Sequence, residues 1–139
     1  MLQRIQTLYL IAALICTGLM FYLPIWKSGE NIGIDSLGAG THLYLLLIAT
    51  LLGLFQIISI FFYKERKTQI LFCNISIFIT IVYLLTFFVI FLQENEISNL
   101  ASGIQIGTIL PILIIVFKIL AITNIRKDEE LIRSMDRLR

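Results

Sequence analysis

The sequence predicts an all-α protein that folds as a four-helix transmembrane bundle. Only 14% of its 139 residues are charged and 58% are hydrophobic, whereas about a quarter of an ordinary soluble domain is charged. Four stretches contain no Asp, Glu, Lys or Arg. Each has about 20 residues or more, enough for a helix to cross the ~30 Å hydrocarbon core of a bilayer. These charge-free stretches are 5–26, 36–63, 68–93 and 97–117.

The helix boundaries follow from these stretches and from the residues that flank them. Tyr22 and Trp26 carry rings that favour the headgroup zone, which places the outer end of the first helix nearby. Pro111 falls inside the fourth predicted helix and is expected either to kink it or to leave a carbonyl near Gly107 without its helical hydrogen bond. The helices are predicted near 5–25, 42–63, 69–92 and 104–125, so that residues 1–125 form the membrane domain and 126–139 a tail.

The distribution of basic residues predicts the orientation. Nine of the eleven Lys and Arg residues lie in the N-terminal segment, in the short turn at 64–68 or in the tail. Short loops rich in Lys and Arg remain in the cytoplasm. Both termini are therefore expected to be cytoplasmic, and the tight turn makes the second and third helices antiparallel neighbours.

Lys118 is the one charged residue predicted to lie within a span. A charge in the hydrocarbon core costs several kcal/mol, so such residues are often functional. Two interpretations are open. The side chain extends to the inner headgroups, as long basic side chains do near helix ends, or it faces a polar cavity or a carboxylate from another chain.

Small and polar residues within the spans are expected to mediate helix packing. The pair Ala49 and Gly53 and the pair Gly103 and Gly107 have the spacing that lets helix backbones approach closely. The second pair forms either an intramolecular contact or a dimerisation face. The predicted packing residues are Ala49, Gly53, Asn74, Gly103, Gly107 and Pro111.

The tail is predicted to be a cytoplasmic amphipathic helix. Ile125, Ile132, Met135 and Leu138 share one helical stripe, and charges of both signs surround it. The helix either lies on the inner leaflet or docks onto a protein. A docking face would combine the tail with the turn at 64–68. Its predicted residues are Lys64, Arg66, Lys67, Arg126, Lys127, Asp128, Glu129, Ile132, Arg133, Met135, Asp136, Arg137, Leu138 and Arg139.

Three segments carry a resemblance to a known family. They are MLQRIQTLYL at 1–10, YKERKTQI at 63–70 and IRKDEELIRSMDRLR at 125–139. Together they resemble the uncharacterised Bacteroidota family of small four-span inner-membrane proteins, the domain of unknown function numbered 4293. The resemblance implies a Gram-negative inner membrane with the outer loops in the periplasm. It implies no activity.

The sequence favours a non-catalytic role. It contains no paired carboxylates within the spans, no Ser–His–Asp pattern and no phosphate-binding glycine loop. No cofactor, metal or nucleic acid is expected. The predicted function is an accessory or scaffold subunit that docks onto a larger membrane complex, surrounded by lipid and other integral membrane subunits. The alternative is a small homo-oligomeric transporter or channel.

Overall fold

The described part of the protein contains four α-helices. The computed structural model describes residues 2–27, 36–37, 42–63, 65–94 and 106–136. The helices are α1 (Leu2–Met20), α2 (Leu43–Phe61), α3 (Arg66–Glu94) and α4 (Ile109–Asp136). A 3₁₀ turn at Ile106–Thr108 precedes α4. Between α1 and α2, the short strands β1 (Trp26–Lys27) and β2 (Ser36–Leu37) pair in antiparallel fashion.

The helices are arranged in a ring. Helix α1 packs on α2 and α4, and α3 packs on the same two helices, so α1 and α3 occupy opposite corners. A hydrogen bond from Gln6 to Asp128 places the start of α1 beside the later part of α4. The tight turn before α3 belongs to the same end, since Leu10, Cys73, Ala121 and Ile122 form one core cluster. We call this the basic end, because Arg66, Lys67, Arg126 and Lys127 lie there.

The composition of the helices is that of a multi-pass membrane protein. Three apolar segments are long enough to cross a bilayer: Leu43–Phe61, Arg66–Ile90 and Ile106–Leu131. The segment Gln6–Met20 is a shorter apolar helix. Large apolar side chains also cover the outside of the bundle, among them Leu8, Phe78 and Leu85. A lipid environment accepts such a surface, whereas a soluble monomer rarely exposes contiguous apolar area of this extent.

Small and branched side chains at helical spacing form much of the core, together with Met20 and Tyr83. On α2 the buried positions are Leu45, Ala49, Leu52, Gln56 and Ser59, which recur every three or four residues and form one stripe. Ala13 of α1 and Ala121 of α4 are also fully buried. Small residues at these positions let neighbouring helices approach closely, as in other membrane bundles.

Helix α1 ends at Met20, five residues before the predicted boundary. The backbone N–H groups of Phe21 and Leu23 still bond to Gly18 and Leu19, and the helix stops there. Pro24 explains the early end, because it has no N–H to donate and it disfavours helical geometry at the residue before it.

Helix α4 differs from the prediction at both of its ends. It begins at Ile109 rather than near 104, and it runs without interruption to Asp136. Residues 126–136 therefore continue the fourth helix, and they do not form a separate helix that turns to lie along a membrane surface. The predicted position of Pro111 in the middle of a helix is also wrong. Pro111 lies in the first turn of α4, where a backbone N–H has no partner within the helix and its absence costs little.

Candidate functional site

Lys118 lies inside the bundle. The residue is in the middle of the apolar segment Ile106–Leu131, and its side chain is fully buried. Arg126, the next basic residue on α4, is eight residues away, or roughly 12 Å along the helix. The interpretation that Lys118 extends to the headgroups is therefore wrong, because the amine is enclosed by neighbouring helices.

The amine of Lys118 contacts polar groups on two other helices. Its Nζ donates to Ser59 Oγ of α2 at 3.4 Å. The Ser59 hydroxyl in turn donates to the backbone carbonyl of Gln56 at 3.0 Å. The Cys73 thiol of α3 is close enough to interact with both Lys118 and Ser59. Three helices thus bring polar side chains together at this point.

Gln56 extends the polar group to α1. Its Oε1 accepts a hydrogen bond from Thr17 Oγ1 at 2.9 Å. Its Nε2 is buried and has no partner within the described residues. Tyr83 of α3 likewise has a buried hydroxyl without a hydrogen bond there. All four helices therefore contribute polar side chains to the interior, and two of these polar atoms lack partners.

The helical segments around Lys118 contain no carboxylate that could compensate its charge. Residues 2–20, 43–61, 66–90 and 106–127 contain no Asp or Glu. Asp128 is ten residues along α4, roughly 15 Å from Lys118, and it accepts a hydrogen bond from Gln6. The hydroxyl of Ser59 and the thiol of Cys73 are neutral partners, so they do not compensate the charge of an ammonium group.

A second buried polar pair lies at the basic end. Gln6 of α1 donates to Asp128 Oδ2 of α4, and both side chains are buried. The other carboxylate oxygen, Oδ1, has no partner among the described residues. Asp128 therefore adds no exposed side chain to the predicted docking face. Since α4 continues alongside α1, this side of the helix is covered.

The other predicted docking residues vary in how far the structure describes them. Arg126 and Lys127 are exposed on α4, and Glu129 is half-buried. Glu130 and Leu131, which are not in the predicted set, are also exposed there. At the start of α3, Arg66 is half-buried and Lys67 is exposed. Lys64, Arg137, Leu138 and Arg139 lie outside the described residues. For the remaining four residues the structure describes the backbone alone, which continues α4; they are Ile132, Arg133, Met135 and Asp136.

The predicted packing glycines contact their own chain where the structure describes them. A Cβ on Gly53 would lie 3.9 Å from Thr17 Cγ2, an ordinary contact between α2 and α1. A Cβ on Gly107 would overlap the Pro24 carbonyl, with the carbonyl carbon only 2.7 Å away. Thr108 adds a hydrogen bond to the carbonyl of Ile25 at 2.8 Å. Gly107 is thus buried within one chain, and Gly103 lies outside the described residues.

Asn74 does not pack between the helices of the bundle, contrary to the prediction. It is exposed on α3, next to the buried Cys73. Its side chain makes no hydrogen bond within the part of the chain that the structure describes. Its amide is therefore on the outer surface of a helix that is apolar enough to span a membrane.

Sequence reasoning missed Ser59, Cys73, Thr17 and Gln6 as partners of the buried polar groups. Ser59 had a detectable signal, since it follows Gln56 by three residues and so shares its face of α2. Gln6 and Asp128 are 122 residues apart. Their pairing depends on the packing of α1 against α4, which no local pattern reveals.

The family comparison agrees with the resemblance seen in the three segments. Searches of curated proteins and of solved structures give no match. A family model described as a domain of unknown function, DUF4293, matches residues 2–138, nearly the whole chain. The chain belongs to the DUF4293 family.

Proposed function

We propose that this protein is a non-catalytic accessory or scaffold subunit of a larger complex in a bacterial inner membrane. In this proposal α1 is a fourth span, both termini are cytoplasmic, and the basic end faces the cytoplasm. The 19 residues of α1 extend about 28 Å, close to the ~30 Å hydrocarbon core. The clustering of basic residues at one end supports the orientation.

The exposed amide of Asn74 is the observation that carries the proposal. It lies eight residues into α3, among the exposed apolar side chains Leu71 and Phe78. Lipid offers an amide no hydrogen-bond partner, whereas a neighbouring transmembrane helix does. Two other exposed polar side chains form hydrogen bonds within their own helices: Thr50 donates to the carbonyl of Leu47, and Thr123 donates to the carbonyl of Leu120. Asn74 has no such bond, so a partner helix at α3 accounts for it.

The continuation of α4 supports a second contact outside the membrane. Beyond the bundle core it presents Arg126, Lys127, Glu130 and Leu131 on its exposed side. A surface that combines both charge signs with an apolar side chain suits a protein partner better than a purely anionic lipid surface, which attracts mainly basic residues. The hydrogen bond from Gln6 to Asp128 holds this segment to α1.

The alternative role, a small transporter, has one observation in its favour. The polar group around Lys118 lies within the bundle, where a transport site would be expected. The homo-oligomer that this alternative needs was predicted to form through Gly103 and Gly107. Because Gly107 packs against Pro24 of the same chain, less of that face is available for contact with a second copy.

Replacing Asn74 with leucine is expected to release the partner complex. The test is affinity purification of the tagged full-length protein from native membranes in a mild detergent. We expect the wild type to elute with other membrane proteins, and N74L to lose most of them. Thr50→Leu is the matched control, since it also replaces an exposed polar residue, but one that already bonds to its own helix. Equal recovery of partners by N74L and T50L would refute the role of Asn74, and recovery of the chain alone from wild-type membranes would refute the subunit proposal.

A further inference from the structure

We propose that the interior of the bundle binds a small monovalent anion at Lys118, between α2, α3 and α4. The site consists of the Lys118 amine, the Ser59 hydroxyl and the Cys73 thiol, with the Gln56 amide on the same face of α2 as Ser59. This proposal does not depend on the subunit role, since it concerns the inside of the bundle and not its outer surface.

The first argument is an excess of hydrogen-bond donors. An ammonium group has three N–H donors and no acceptor. Ser59 Oγ accepts one of them at the long distance of 3.4 Å, and a thiol is a weak acceptor. One turn earlier on α2, Gln56 Nε2 is a further buried donor group without a partner among the described residues. A group that accepts hydrogen bonds from several directions fits this arrangement, and an anion is such a group.

The second argument is charge. A buried ion is costly unless a charge of opposite sign compensates it. Residues 2–20, 43–61, 66–90 and 106–127 contain no carboxylate, and Asp128 is engaged at the basic end. An anion beside Nζ would turn the ammonium group into a neutral pair within the membrane.

The third argument limits the size of the occupant. Lys118, Ser59 and Cys73 are all fully buried. Cys73 packs with Leu10, Ala121 and Ile122, and the last two are on the turn of α4 that follows Lys118. Apolar side chains thus close the site toward the basic end. The occupant is therefore as small as a halide ion or formate, both of which are monovalent and accept hydrogen bonds.

The test is thermal unfolding of the purified full-length protein in a zwitterionic detergent. Sodium gluconate, whose anion is too large, is replaced stepwise by sodium chloride or sodium formate at constant ionic strength. We expect Tm to rise by roughly 5 °C across the series, in proportion to the logarithm of the anion concentration once this exceeds Kd, because ligand binding stabilises the folded state. A rise in chloride alone indicates a halide site, and a rise in formate alone indicates a carboxylate site. The same Tm in all three salts would overturn the proposal and indicate an uncharged amine.

Two substitutions make the test specific. Lys118→Met should abolish the rise while leaving Tm in gluconate no lower than that of the wild type, since it removes a buried charge. Lys127→Met removes an exposed charge from the same helix and should retain the rise. If K118M retains the rise, the anion binds elsewhere.

Ser59→Ala provides an independent check if K118M does not fold. It keeps the amine but removes a hydroxyl that occupies one of its donors, and that donor becomes available to the anion. The chloride concentration at which Tm begins to rise should therefore fall roughly fivefold, as expected for the gain of one hydrogen bond. An unchanged chloride dependence in S59A would contradict the assigned site.

Discussion

Replacing Gly107 with alanine is expected to lower the free energy of unfolding by about 3 kcal/mol, the upper part of the range for overpacked sites. The added Cβ would overlap the Pro24 carbonyl and would lie 3.0 Å from the Leu23 carbonyl oxygen. Both neighbours are backbone atoms, which cannot move aside as a flexible side chain can. Thermal or denaturant unfolding in detergent measures the effect.

Two other glycines serve as controls for this prediction. A Cβ added to Gly18 of α1 would have no neighbour within 4 Å, and one added to Gly53 would make only an ordinary contact with Thr17. Alanine at either position should be tolerated, because it favours helix by up to about 1 kcal/mol over glycine. If G107A unfolds at the same temperature as G18A, the close contact between the segment after α1 and the start of α4 is absent.

Reversing the charge at Asp128 is expected to destabilise the basic end by about 3–5 kcal/mol, the range for an uncompensated buried charge. Asp128→Lys removes the acceptor of Gln6 and buries a cation near Arg126 and Lys127. The end of α4 should separate from α1 before the rest of the bundle unfolds. Limited chymotrypsin digestion should therefore cut D128K early after Leu131, and Tm should fall.

Glu130→Lys is the matched control for D128K. It makes the same change in net charge two residues away, at an exposed position of the same helix. Its digestion rate and Tm should remain close to those of the wild type, since exposed charges contribute little to stability. Similar behaviour of the two variants would mean that Asp128 is not buried against α1.

The all-α class and the membrane character can be predicted from the sequence, because charge-free stretches of span length are typical of transmembrane helices. Lys118 is also evident from the sequence, since a single charge interrupts an apolar run. Its partners are not, because they depend on the relative shift of α2, α3 and α4 along their axes. Ser59 and Cys73 meet Lys118 only once the helices are packed.

Asn74 shows a second limit of sequence reasoning in a membrane protein. In water, a polar residue on a helix marks its outer face. In a span, where both faces are apolar, a single amide is equally consistent with an inward and an outward position. The boundaries of α1 and α4 were missed for another reason, which is that Pro24 and Pro111 fall inside apolar runs that are continuous by hydropathy alone.

Site-specific photocrosslinking in living cells tests the central claim, that α3 contacts a partner subunit. A photoreactive residue is placed at Asn74 or, as a control, at Ile11 of α1. Ile11 is also exposed, and its neighbour Leu10 packs in the same cluster as Cys73, the neighbour of Asn74. Positions 11 and 74 are therefore at a similar depth, on helices at opposite corners of the ring. We predict a discrete adduct with a different protein from position 74 and none from position 11. Adducts with lipid alone, or with a second copy of the chain, would contradict the subunit role.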